Sequence, residues 1–446
     1  MTQGFGFAGG DPDKEPNPLA DLGEMLQSIG RLLAQSSSGE PSALTAATLR
    51  QMASPSMPSH RIVDQKVVAA TAAAGELANI WLDESSDLPP GPTPLHAWSP
   101  QEWLEVTAAG WVSCTQPVIS STARASSEVL NLAGNGEEPL RESDSPSDTP
   151  SGLPFGLPAG FSLGSGTGAG LGSGMGAGMP EQLRALATHM TTTMLQQQLA
   201  QTIATLSGEV TSLSDVPFEL AAGFSALLPH AIESIAEGLE LPKDQVLLWC
   251  ALRENARARL FAARPWLPKS LTDAILTHAD NLHIDTEAIT SMMETLDPSN
   301  PSSLQDAMSS GALEPRARGA GIIAAHRLEA TYTLIEGWVD CVVKHAGSDR
   351  LPSYTALAEA WQRRRATSSP AQQTLTSLLG LELSAKRVRG AAGLWDHIGT
   401  KYGIAARDAL WSHPDMLPTS DDLTDPTDFL AALGAEQAGP TTDDLS

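Results

Sequence analysis

The stretch "LLWCALRENARARLF", Leu247 to Phe261, decides how the chain is read. Just before it, Pro242 and Asp244 suit a helix N-terminus: proline's missing N–H is lost there without cost, and a carboxylate meets the positive end of the aligned peptide dipoles. Val246, Cys250, Arg253, Arg257 and Leu260 fall at i, i+4, i+7, i+11 and i+14, which puts them on one face of an α-helix. Two arginines therefore share a stripe with residues that belong in a core. Arginine is almost never fully buried without a partner, so this face requires carboxylates from elsewhere in the chain.

The segment "AAHRLEATYTLIEGWVDCVVK", Ala324 to Lys344, offers them. Leu328, Tyr332, Ile335, Val339 and Val342 form its apolar stripe. Glu329, Glu336 and Asp340 lie on the neighbouring face, again at i, i+7 and i+11. Gly337 within this helix costs about 1 kcal/mol relative to alanine. Close approach of another backbone there would account for it.

Outward from these two segments the pattern is mainly α. Helices are expected at Leu19–Leu33, Leu44–Met52, Asp64–Asp83 and from Pro100 through Val118. After a break they follow at Glu181–Leu206, Phe218–Glu237, Pro242–Ala263, Leu267–His278, Thr286–Leu296 and Gly321–Ala346. The series closes with Tyr354–Arg365, Pro370–Leu379, Ala385–Tyr402 and Ala405–Trp411. Ser99-Pro100-Gln101-Glu102 has the form of a capping box with proline at the first helical position. Period-two alternation is weak and confined to Val210–Leu213 and Leu381–Leu383, and no internal repeat is evident.

Composition divides the chain into a disordered tail at 1–17, an N-terminal helical region at 18–119 and a Gly/Ser/Pro-rich linker at 120–180. A helical domain at 181–432 and a disordered acidic tail at 433–446 complete it. In "GSGTGAGLGSGMGAGMP", Gly164 to Pro180, glycine alternates without a phosphate-binding frame or a following lysine, as expected of a flexible linker.

The chain carries 27 Lys and Arg against 52 Asp and Glu, a formal charge of −25. A surface this acidic repels nucleic-acid phosphates and anionic lipid, so neither nucleic acid nor membrane is an expected partner. The basic triplet Arg363-Arg364-Arg365 reads as a solvated helix end. Cys114, Cys250 and Cys341 form no C-x-x-C pair, and the last two read as small buried hydrophobes. With no signal-like start and no run of about 20 apolar residues, the expected compartment is the cytoplasm.

Arg253-Glu254-Asn255-Ala256-Arg257 also has the frame of H-E-x-x-H with both histidines exchanged. That motif works because residues four apart on a helix hold one Zn²⁺ with two imidazoles, while the glutamate acts as base for the bound water. Arginine offers no lone pair and cannot be a ligand. Glu336 and Asp340 form the E-x-x-x-D pair that, in zinc hydrolases with a glutamate as third ligand, supplies that ligand and an aspartate orienting a ligand histidine.

Several segments in order resemble an actinobacterial hydrolase family described as zinc-dependent metalloproteases with a zincin-like fold. They are "FGF", "ELANIWLDESSDLP", "WSPQEWLEVTAAGW", the long run from "LLPHAIESIAEG" through "ENARARLFAARPWL", "HRLEATYTLIEGWVD", "RRRATSSPAQQTLTSLLGLELSAKRVRGAAGLWDHI" and "RDALWSHPDMLPTSDDLTDPTDFL". The resemblance implies a general-base position at Glu254, a third metal ligand at Glu336 and a second-layer role for Asp340. It puts Arg253 and Arg257 where ligand histidines would stand. Three readings follow. The chain is a non-catalytic zincin-like protein without zinc, in which Arg253 and Arg257 neutralise Glu254, Glu336 and Asp340; or an active metal hydrolase using Glu336, Glu254 and an unplaced histidine; or an acidic helical scaffold for a protein or peptide partner. His278, His283 and His326 are the nearest histidines for a relocated zinc site.

Overall fold

The computed structural model describes residues 43–59, 62–91, 94–134, 179–283, 316–367 and 384–438. Twelve α-helices are assigned there: α1 Ala46–Ala53, α2 Gln65–Asp83, α3 Pro100–Gly134, α4 Met179–Glu209, α5 Pro229–Leu239 and α6 Lys243–Ala263, then α7 Trp266–Asp280, α8 Ala320–Gly347, α9 Tyr354–Ala366, α10 Ala385–Tyr402, α11 Ile404–Ala409 and α12 Thr427–Ala438. Two strand pairs accompany them. Leu95–Ala97 (β1) pairs in parallel with Ser225–Leu227 (β2), and Leu282–His283 (β3) pairs antiparallel with Arg316–Ala317 (β4). The fold is mainly α, as the periodicity requires. The expected helices at 19–33, 286–296 and 370–379, and the tail at 1–17, lie outside the described residues.

Three boundaries differ from the sequence reading, each because packing outweighs composition. Helix α3 continues past Val118 to Gly134, so the first fifteen residues assigned to the linker are helical. Ile119, Ser121, Ala123 and Ala125 are buried there, and α3 packs along α4. The segment expected to begin a helix at Phe218 passes through bends, a turn at Gly223 and strand β2 before helix starts at Pro229, because Ser225–Leu227 is buried and paired with β1. Helix α12 runs to Ala438, into the stretch read as a tail, and buries Leu433. The hint at Val210–Leu213 yields only an isolated bridge from Ser212 to Leu227.

The capping box forms as expected. The Ser99 N–H and hydroxyl both donate to Glu102 Oε2, at 2.7 and 2.8 Å, and the Glu102 N–H donates back to Ser99 Oγ at 3.2 Å. One hydrophobic core joins residues from Leu44 to Leu433. Helix α6 lies within it, packed against α2, α5, α8 and β2. Gly337 is where α8 meets α10: a methyl group at that position would lie 2.5 Å from Ala391 Cβ and 2.8 Å from the Ala392 nitrogen. No described helix is long and apolar enough to cross a membrane.

Candidate functional site

Helix α6 is buried on all sides, beyond the single stripe its periodicity suggests. Arg253, Glu254, Asn255, Arg257 and Arg259 are all buried. Polar side chains in such a place must find partners, since an unpaired buried donor costs about 1–3 kcal/mol. On the side facing α2 they find them in the chain itself. Asn255 Nδ2 donates to the Gly75 carbonyl at 2.9 Å. Arg259 donates to the Leu88 and Asn79 carbonyls and, at 2.7 Å, to Asp83 Oδ1.

On the opposite side, Arg253 spans both carboxylates of α8, with Nη2 2.8 Å from Glu336 Oε2 and Nη1 2.5 Å from Asp340 Oδ1. Arg257 Nη1 lies 3.6 Å from Glu336 Oε1 and donates to the Ser214 carbonyl at 2.8 Å. The Arg257 guanidinium also sits 4.8 Å from the centre of the Phe261 ring and 5.9 Å from that of Tyr332. A third guanidinium, from Arg365 at the end of α9, donates to both oxygens of Asp340 at 2.6 and 2.7 Å and approaches Glu336 at 3.4 Å. Two carboxylates thus meet three guanidiniums.

The sequence reading of the arginine triplet as a solvated helix end holds for Arg363, whose partner is exposed Glu359. It fails for Arg365, whose guanidinium is drawn in by its ion pairs with Asp340 and Glu336. Burial alone would raise the Asp340 pKa, but Arg365 and Arg253 outweigh it and hold the carboxyl at about 2. The Arg365 guanidinium is correspondingly pushed above the ordinary arginine range, chiefly by Asp340 against the opposing effect of burial.

Glu254 stands apart from this cluster. The expectation that Arg253 and Arg257 neutralise it is corrected: its Oε2 accepts from the Ser214 N–H at 2.9 Å and its Oε1 from the Ala226 N–H at 3.2 Å. It ties α6 to β2 and to the Leu213–Asp215 turn, meeting backbone donors because β2 runs against this face of the helix. Burial raises its pKa to about 7, against the pull of Ser214, Ala226 and the Arg257 charge. Glu254 and Arg257 also line a cavity of about 110 Å³ walled by Phe218, Leu220, Phe224 and Phe261.

The remaining candidates lie elsewhere. Glu329 pairs with Arg387 at 2.7 Å. His278 is buried with Nδ1 3.2 Å from the Gly321 carbonyl oxygen, while His283 and His326 are exposed. None of these histidines takes part in the ion pairs of the cluster.

The sequence model of the zincin-like metallopeptidase family matches residues 42–430, which takes in every element of this cluster. The chain belongs to the zincin-like metallopeptidase family. A crystal structure of a candidate hydrolase with a novel fold from Chloroflexus aurantiacus superposes with a TM-score of 0.55 at 16% identity. The alignment covers 88% of this zincin-like chain and 99% of the other, and shows a shared fold. No curated protein matches.

The family implies zinc, which needs lone pairs from imidazole, thiolate or carboxylate. At the α6–α8 interface the residues do not fit it. Arg253 and Arg257 are donors only, and Arg257 Nη2 is a buried donor with no hydrogen-bond partner. Glu336 and Asp340 are already engaged by guanidinium charge, and a dication placed among three cations would be repelled.

Proposed function

We propose that this chain is a non-catalytic zincin-like protein that uses guanidinium groups where its relatives use zinc. The observation that carries the proposal is the Arg253 bridge to Glu336 and Asp340, completed by Arg257 and Arg365. The positive charge that would otherwise come from a metal is covalently part of α6 and α9. It holds α6 to α8 without supplying a Lewis acid or an activated water. Glu254, at the general-base position, is used to bind backbone N–H groups. What remains of the cleft is the apolar cavity beside Arg257, suited to a side chain of a protein or peptide partner, which the protein meets in the cytoplasm.

Zinc content and peptide hydrolysis, compared between the native chain and Glu336→Gln, test this reading. The proposal expects zinc content unchanged by the substitution and no peptide cleavage by either chain. Zinc lost on Glu336→Gln, or cleavage abolished by it, would establish the rival reading, an active hydrolase that binds metal through Glu336.

A further inference from the structure

Cys341 and His345 are four residues apart on α8, so their side chains stand one above the other on the same helical face. That face turns toward α10, which carries Asp396. His345 Nε2 lies 2.6 Å from Asp396 Oδ1. The thiolate, imidazole and carboxylate donors of Cys341, His345 and Asp396 all fall within 4.8 Å of one another. Donors of one tetrahedral zinc ion stand roughly 3.3–3.8 Å apart, given bonds of about 2.0–2.3 Å, so small side-chain adjustments bring these three to that spacing.

The surroundings complete the arrangement. Arg407 Nη1 lies 3.8 Å from Cys341 Sγ, but burial outweighs its charge, so Cys341 keeps its thiol proton until a metal displaces it. Lys344 Nζ donates to Asp396 Oδ2 at 3.1 Å, which leaves Oδ1 as the oxygen directed at His345. Access is open: Cys341 and Asp396 line a cavity of about 270 Å³ together with Tyr354, Trp361 and Arg389. A structural cation site for calcium or magnesium would be built from oxygens alone. A sulfur, a nitrogen and an oxygen select a borderline transition ion instead.

We propose that Cys341, His345 and Asp396 form a three-ligand site for a divalent transition metal of the zinc class, with a fourth position open to the adjoining cavity. Binding replaces the thiol proton of Cys341 with the metal and releases that proton to solvent. The site shares no ligand with the Arg253–Glu336 cluster and does not depend on the non-catalytic reading of that cluster.

The test uses the full chain without a histidine tag, stripped with chelator and titrated with Co²⁺ while near-ultraviolet absorption is followed. One equivalent of Co²⁺ is expected to produce a thiolate-to-cobalt charge-transfer band that Zn²⁺ then abolishes. Cys341→Ser should remove the band. His345→Ala and Asp396→Asn, at partly exposed positions that leave the helices intact by circular dichroism, should each weaken Co²⁺ binding by about tenfold or more. Glu336→Gln should leave the band in place, which separates this site from the α6 cluster. No band in the native chain, a band that survives Cys341→Ser, or His345→Ala and Asp396→Asn affinities equal to native would overturn the proposal.

Discussion

Arg253 on α6 grips Glu336 on α8 at 2.8 Å across 83 residues of sequence, and both side chains are buried. A pair of this kind adds little net stability over a well-packed apolar pair, because desolvation offsets the attraction. Removing one partner is another matter, since it strands a charge in the core at a cost of about 3–5 kcal/mol.

The first prediction is a double-mutant cycle on that pair. Glu336→Leu and Arg253→Leu singly should each lower unfolding free energy by about 3 kcal/mol or more, and the double variant by clearly less than their sum. Urea denaturation measures all four corners. Additive losses would show that the two side chains do not act as a pair.

Stability should depend on pH in two opposed windows. Asp340 has its pKa depressed from 3.8 to about 2, so its contribution is present above about 4 and is lost as pH falls through 2. The loss is on the order of 2 kcal/mol. Glu254 has its pKa raised from 4.5 to about 7, so its contribution is full below about 4.5 and is lost as pH rises through 7. Glu254→Gln should flatten the neutral-side decline while leaving the acid-side decline intact. An unchanged slope between pH 5 and 7 in that variant counts against the Glu254 assignment.

Gly337→Ala should destabilise by about 1–3 kcal/mol, because the added methyl meets Ala391 and the Ala392 nitrogen where α8 crosses α10. Ala391→Gly in the same chain should restore only part of the loss, since the backbone contact remains. Thermal unfolding of the three chains decides it.

Asp408 should be among the most sensitive positions. It accepts from Ser86 Oγ, the Asp87 N–H, Trp338 Nε1 and Arg407, so that one carboxylate ties α11 to α8 and to the turn after α2. Asp408→Ala leaves four donors unmatched and should cost about 3 kcal/mol or more. A loss below about 1 kcal/mol would be incompatible with that network.

Much of this architecture was legible in local pattern. The helical period put Arg253 and Arg257 on an inward face and Glu336 and Asp340 on one face of a second helix. Glycine inside that second helix signalled a close crossing, and Ser99 to Glu102 announced a helix start that forms as written. Arg365 was not legible, because a run of three arginines at a helix end looks solvated until α9 is docked against α8. Asp408 was invisible for a similar reason: beside its neighbour Arg407, its donors come from two distant segments, at Ser86–Asp87 and at Trp338. The extended course of Ser225–Leu227 depends on β1, more than a hundred residues earlier.

By itself, the sequence determined that two helices carry complementary charge on buried faces and that Arg253 and Arg257 cannot ligate a metal, since both facts follow from side-chain chemistry and a 3.6-residue period. Only the tertiary structure decided which charges meet. It assigned Glu336 and Asp340 to Arg253 and Arg365, left Arg257 at the edge of Glu336, and turned Glu254 away to backbone donors. Pairing is set by where helices cross in space, and no local spacing encodes the crossing.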